Sequence, residues 1–200
     1  MKEDKLKIFG YLGIVSSAAA IIILTLDIDK LAGLGRTNLI NIAILLLFSL
    51  ILEYMAVSGG RLFISLSSVV AITVAMTYGE EALISLGVTV FLLKVRKLSN
   101  GRLQFVFNRE AKNVICDIAI VTIESHAAFR AYTLFGGTTI TESVVGTITL
   151  DGAARFISQN TWAIVAFIVT DLLINTILMA IWVYTQDPKF SVAELLKDML

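Results

Sequence analysis

Polar residues along this chain gather into short clusters, and between them lie six apolar runs, at residues 8–26, 39–57, 62–79, 82–95, 113–134 and 161–184. A helix crossing the hydrocarbon core of a bilayer needs about 20 residues, within a working range of about 17–25. Five of the six runs meet that length. The fourth, at residues 82–95, is short enough to be a re-entrant or buried piece instead. The pattern predicts an all-α polytopic membrane protein.

Composition points the same way. Hydrophobic residues make up 57% of the 200 positions and charged residues 16%, against roughly 25% charge in soluble chains, and mean hydropathy is +0.86. A single proline and the lack of a low-complexity tract argue against disorder. One cysteine excludes a disulfide framework and a Cys-rich zinc site. Sixteen basic residues balance sixteen acidic ones, so the totals carry no nucleic-acid signature.

The first run follows Lys2, Lys5 and Lys7, as the core of a signal peptide does. Such cores are about 7–15 residues long, however, and this run is longer. It also leads into Asp27-Ile28-Asp29-Lys30 rather than a small-residue cleavage site, so we read it as a retained span.

Basic residues then set orientation. With the N-terminus cytoplasmic and six crossings, the inner stretches hold Lys2, Lys5, Lys7, Arg61, Lys94, Arg96, Lys97, Arg102, Arg109, Lys112, Lys189 and Lys197. The outer loops hold only Lys30, Arg36 and Arg155, with Arg130 inside the fifth span. This is a strong positive-inside bias. Were the fourth run not to cross, the basic loop at residues 94–112 would face outward and the bias would reverse. The expectation is therefore six transmembrane helices with both termini cytoplasmic.

Ser58-Gly59-Gly60-Arg61 and Gly79-Glu80-Glu81 read as tight turns, with glycine supplying the unusual backbone angles. Spans two, three and four should then pack as antiparallel neighbours. The longest outer loop, residues 135–160, opens on Gly136-Gly137, and its later part reads either as a short interfacial helix or as a lid. Asp187-Pro188 ends the sixth span. Residues 191–200 read as a short amphipathic helix on the cytoplasmic side, with Ser191 and Glu194 as a capping box. The domain reading is a transmembrane unit at residues 1–186 and an exit helix at 187–200.

Ionisable groups inside spans cost about 2.5–3.5 kcal/mol on insertion scales, so they usually face the bundle interior or a cavity. Span five is the most polar. Asn113, Asp117 and Glu124 share one helical face, while His126 and Arg130 share another. Asp117 and Glu124 are candidate acceptors in a ligand or proton site, with His126 or Arg130 as charge partners; Arg130 snorkelling to the interface is the structural alternative. In span six Asp171 and Asn175 lie four apart. They read as a site or as an interhelical hydrogen bond. Glu53, near the end of span two, reads as a structural ion pair first and a site second. Ser65, Ser67, Ser68, Thr73 and Thr77 in span three read first as small packing residues that cap their own carbonyls, and second as the lining of a polar site.

No H-E-x-x-H, G-x-S-x-G, Walker loop or helix-opening G-x-G-x-x-G occurs. One histidine and one cysteine cannot build a His/Cys metal site. No catalytic constellation, metal site or cofactor is expected.

Several short motifs fall into one order: Glu53-Tyr54 closing span two, Ile64-Ser65-Leu66-Ser67 opening span three, and Tyr78-Gly79 closing it. Phe107-Asn108 follows the basic loop, Leu134-Phe135-Gly136-Gly137 ends span five, and Ile174-Asn175-Thr176 lies in span six. From about residue 40 onward the chain resembles the N-terminal membrane-associated sensor (MASE-type) domains that precede HD-GYP phosphodiesterases and GGDEF diguanylate cyclases in bacteria. Met55-Ala56-Val57-Ser58 departs from the proline-richer pattern usual after the Glu-Tyr pair, and no HD-GYP or GGDEF domain follows Leu200.

The resemblance implies a sensor module that passes a stimulus to a cytoplasmic output domain, or a separate signalling enzyme, concerned with cyclic di-GMP. It carries over no catalytic residue and no ligand. Partners under this reading are the lipid bilayer, that output domain or enzyme, and by analogy a second copy in a homodimer. The alternative is a small-solute-binding transport subunit, similar to the substrate-binding components of energy-coupling-factor transporters.

Overall fold

The computed structural model describes residues 2–54, 67–93, 96–97, 103–140 and 150–186. It is helical apart from one short ribbon. The helices are α1 (Lys2–Thr25), α2 (Ile28–Ala32), α3 (Arg36–Tyr54), α4 (Ser67–Leu93), α5 (Ala111–Leu134), α6 (Leu150–Gln159) and α7 (Thr161–Gln186). Strands β1 (Arg96–Lys97) and β2 (Leu103–Gln104) pair antiparallel, Arg96 opposite Gln104, within the basic loop. A 3-10 turn at Val106–Asn108 leads into α5.

Among the described residues, three helical stretches are long and apolar enough to cross a membrane: Leu6–Thr25, Val69–Leu93 and Thr161–Gln186. This is fewer than the six spans expected, and each difference has a physical origin. In α3 the apolar part, Arg36–Leu52, is a little short. Helix α5 is long enough but carries Lys112, Asp117, Glu124 and Arg130, which lower its hydropathy. The third and fourth runs are assigned to the single stretch α4, whose helical geometry breaks at Gly79 (φ +83, ψ −168). Only glycine adopts such angles without strain, so the turn read at Gly79-Glu80-Glu81 has its backbone signature here. The expected turn at residues 58–61, Ser65 and the exit helix at 187–200 lie outside the described residues.

The direction of the segment after the break is set by its contacts with α5. Glu80 meets His126 and Arg130. A Cβ built on Gly87 would stand 2.9 Å from Val121 Cγ1, and Arg109 sits over the Phe91 ring, 5.1 Å from its centroid. Residues 80–93 therefore run antiparallel to α5, and at Gly87 the two helices pack too closely to admit a side chain without a shift of Val121.

Two apolar clusters hold the bundle together. One joins Val70, Val74 and Ala75, before the break, to Ala82, Leu83 and Leu86 after it, and to Ala128, Tyr132, Ala163 and Phe167. The other joins Val15 and Ala19 of α1 to Cys116, Ala119 and Ile120 of α5 and Trp182 of α7. Tyr11 stacks on Trp182 at 5.8 Å and donates a hydrogen bond to the Leu178 carbonyl (2.6 Å). The most extensive packing is between α5 and α7.

What is buried and what is exposed differs from a water-soluble core. Alanines at 19, 75, 82, 119, 128, 163 and 180 are buried, while Ile14, Ile21, Leu24, Ile44, Leu47, Phe48, Leu173 and Ile177 are exposed. Small residues let helices approach closely, and large apolar side chains facing outward suit a lipid solvent. Exposed hydrophobic surface on this scale is not typical of a soluble monomer. Thr73, which is exposed, donates its hydroxyl to the Val69 carbonyl one turn back (2.8 Å).

Candidate functional site

The polar side chains converge at two levels of the bundle. The first is at the Gly79 end, where α1 finishes, α4 breaks and α5 finishes. Glu80, the first residue after the break, is buried at 7% exposure. One of its carboxylate oxygens, Oε1, contacts His126 Nδ1, and the other lies 3.4 Å from the Arg130 guanidinium. His126 and Arg130 are one helical turn apart on α5, so both can reach a single carboxylate on the neighbouring helix. Beside them Glu81 Oε1 lies 3.4 Å from Lys30 Nζ of α2. Glu80, Arg130, Glu81 and Lys30 border a cavity of about 450 Å³, with Asp27, Tyr78 and Phe129 also in its wall. Its volume is in the range of small-molecule sites, about 300–1,000 Å³.

The end of α5 is tied down next to this cavity. Gly136 (φ +81) closes the helix, with its N–H donating to the Thr133 carbonyl (3.0 Å) and the Gly137 N–H to the Tyr132 carbonyl (2.9 Å). That paired return of N–H groups to the last turn is a Schellman cap. The chain then crosses the face of the Tyr132 ring so closely that a Cβ on Gly137 would meet it at 2.4 Å. The Tyr132 hydroxyl donates to the Thr138 carbonyl (2.7 Å) and lies 3.2 Å from Asn160 Oδ1. Asn160 accepts the Thr138 N–H (3.0 Å) and donates through Nδ2 to the Phe156 carbonyl (2.9 Å). Asn160 thereby joins the loop after α5 to the corner between α6 and α7. In the loop read either as a short helix or as a lid, α6 occupies Leu150–Gln159; residues 141–149 lie outside the described residues.

The second level is inside the bundle, where α5 faces α7. Glu124 is intermediate in overall exposure, yet its Oε2 is buried and has no hydrogen-bond partner. Its electrostatic neighbours are Asp171 on α7 and Asp117 on α5, both acids. Asp117 in turn pairs with Arg109, ahead of α5. Ser16 Oγ on α1 is likewise buried without a partner.

The candidate residues are thus distributed differently from the arrangement drawn from sequence. His126 and Arg130 turn to Glu80 of α4 rather than to Asp117 or Glu124, and Asp117 takes Arg109. Asp171 is brought to Glu124, while Asn175, one turn further along α7, is exposed. Glu53 lies in the last turn of α3, and its side chain is not among those described. Sequence reasoning missed Glu80 and Arg109 as members of polar clusters. For Glu80 a signal was present: two adjacent acids between apolar runs are more charge than a turn requires. Among the described residues no group of three or more His, Cys, Asp or Glu side chains is arranged to hold a metal ion.

No family model, curated protein or solved structure matches the chain.

Proposed function

We propose that this chain is the multi-pass membrane part of a bacterial inner-membrane sensor. In this reading it crosses the bilayer six times with both termini cytoplasmic, and the Gly79 end is the outer end. The backbone break at Gly79 supports counting residues on either side as two crossings, and the positive-inside count supports the orientation. The observation that carries the functional reading is the placement of Glu80, His126 and Arg130. They form a polar cluster beside the end of α5, the helix that packs most extensively on α7, and two of them, Glu80 and Arg130, line the cavity.

A stimulus that changes the pairing of Glu80 would bias how α5 sits on α7. Helix α7 would carry that change toward residues 187–200 and a cytoplasmic output, with cyclic di-GMP turnover the output suggested by the sequence resemblance. Transmission requires two packings that the stimulus distinguishes. The cavity also favours a second reading, a subunit that binds a small solute for transport.

The intact mass of the protein extracted from its native membranes separates the two. A mass well above 21.8 kDa, with an attached phosphodiesterase or cyclase domain, is the result expected of the sensor. A mass of 21.8 kDa together with a co-purifying solute, and no change in cyclic di-GMP on deletion, would overturn it in favour of transport.

A further inference from the structure

We infer that the cavity at the Gly79 end takes a small zwitterionic solute, a molecule carrying a carboxylate and an ammonium group like a free amino acid. This rests on the reading of that end as the stimulus site. The inference comes from how charge is distributed in the wall. Two cations, Lys30 and Arg130, come from different helices, and three acids, Asp27, Glu80 and Glu81, stand among them. A simple anion would meet the two cations but also the three acids. A simple cation would have the converse problem. A solute with both charges satisfies both sets, and unpaired charges placed against a partner are what a site uses to reject the wrong one.

The cations are also available. Arg130 and Lys30 have side chains 61% and 68% exposed, and each is held at 3.4 Å by one carboxylate oxygen. A well-formed charged contact is shorter, about 2.7–2.9 Å, and exposed pairs of this kind contribute little. Either cation can turn to a ligand carboxylate at small cost. Glu80 does not lose its place when Arg130 turns away, because His126 holds its other oxygen. On the ammonium side, the exposed Asp27 carboxylate has no ion pair or side-chain hydrogen bond among the described residues, and Glu81 is released as Lys30 moves. Phe129 gives the cavity an apolar patch where a solute's carbon skeleton can lie.

The test uses the full chain reconstituted in lipid nanodiscs and three matched probe sets. These are the neutral L-amino acids, the same compounds without the amino group, and the same compounds without the carboxylate. Thermal unfolding is followed by tryptophan fluorescence and binding by calorimetry. At least one amino acid is expected to raise the midpoint in a saturable way, while its acid and amine counterparts leave it unchanged. Arg130→Gln and Glu81→Gln should each weaken that binding by about tenfold or more, the loss of one charged hydrogen bond. An acid or amine that stabilises as well as the amino acid would overturn the zwitterion assignment and leave the stimulus site standing. No response to any of the three sets would overturn both.

Discussion

At the Gly79 end, Glu80 is buried with a cationic or ring-nitrogen partner at each carboxylate oxygen, both from α5. Half-way along α5, Glu124 is half-buried, with one oxygen buried and unpartnered and with acids for electrostatic neighbours. The two residues are the same type on adjacent helices, so chemistry alone does not separate them. The difference is in what the neighbouring helix presents at each level. A backbone break at Gly79 sets Glu80 where it faces one turn of α5, and that turn carries His126 and Arg130. Glu124 instead has only acids as electrostatic neighbours, Asp171 of α7 and Asp117 of its own helix. Buried polar groups normally find partners, and one that does not costs about 1–3 kcal/mol. The first region is therefore expected to contribute stability and the second to cost it.

Substitutions sharpen that contrast, and the largest effect is expected at Glu80. Glu80→Gln removes the charge that both α5 groups address, and should lower stability by about 1.5–3 kcal/mol, read as a fall in the unfolding midpoint in detergent. A midpoint equal to that of the unchanged protein would mean the cluster is solvated rather than structural. Gly79→Ala leaves every partner in place but puts a Cβ on a backbone at φ +83. The strain should cost about 1–3 kcal/mol and loosen Glu80 from His126, which the His126 imidazole resonances in NMR would report.

A smaller effect, about 0.5–1.5 kcal/mol, is expected of Tyr132→Phe, because one hydrogen bond to Thr138 is lost while the ring stays packed beside Gly137. Hydrogen exchange at the Thr138 amide should rise with it. Glu124→Gln should do least, leaving stability unchanged or slightly raised, since a neutral side chain of the same shape removes an ionisable group that has no cationic partner. A loss there as large as that of Glu80→Gln would show that Glu124 has a partner after all and would erase the contrast.

Local sequence was sufficient for several elements. The apolar runs that became α1, α3, α5 and α7 were visible from length and hydropathy, because a helix solvated by lipid must be apolar over most of its surface. The glycine-marked turn before Glu80 was visible because positive φ is a property of one residue. The Phe135-Gly136-Gly137 stop after α5 was visible for the same reason. Helix α2 and the short β-ribbon were not anticipated, since neither has more than a few residues over which a periodicity can show.

The face of each charged residue on its own helix was also legible, since it follows from a fixed period of 3.6 residues. Asp117 and Glu124 were separated in this way from His126 and Arg130. Which helix each face meets is not a local property. It depends on the close approach of α4 to α5 at Gly87 and on the packing of α5 against α7. For that reason the partner of His126 proved to be Glu80, forty-six positions earlier, and the α7 acid among the electrostatic neighbours of Glu124 proved to be Asp171. Sequence by itself determined that there are apolar helices, where they stop and which side of each is polar. Tertiary structure alone decided which polar sides meet, because that depends on the positions of neighbouring helices and no single segment encodes it.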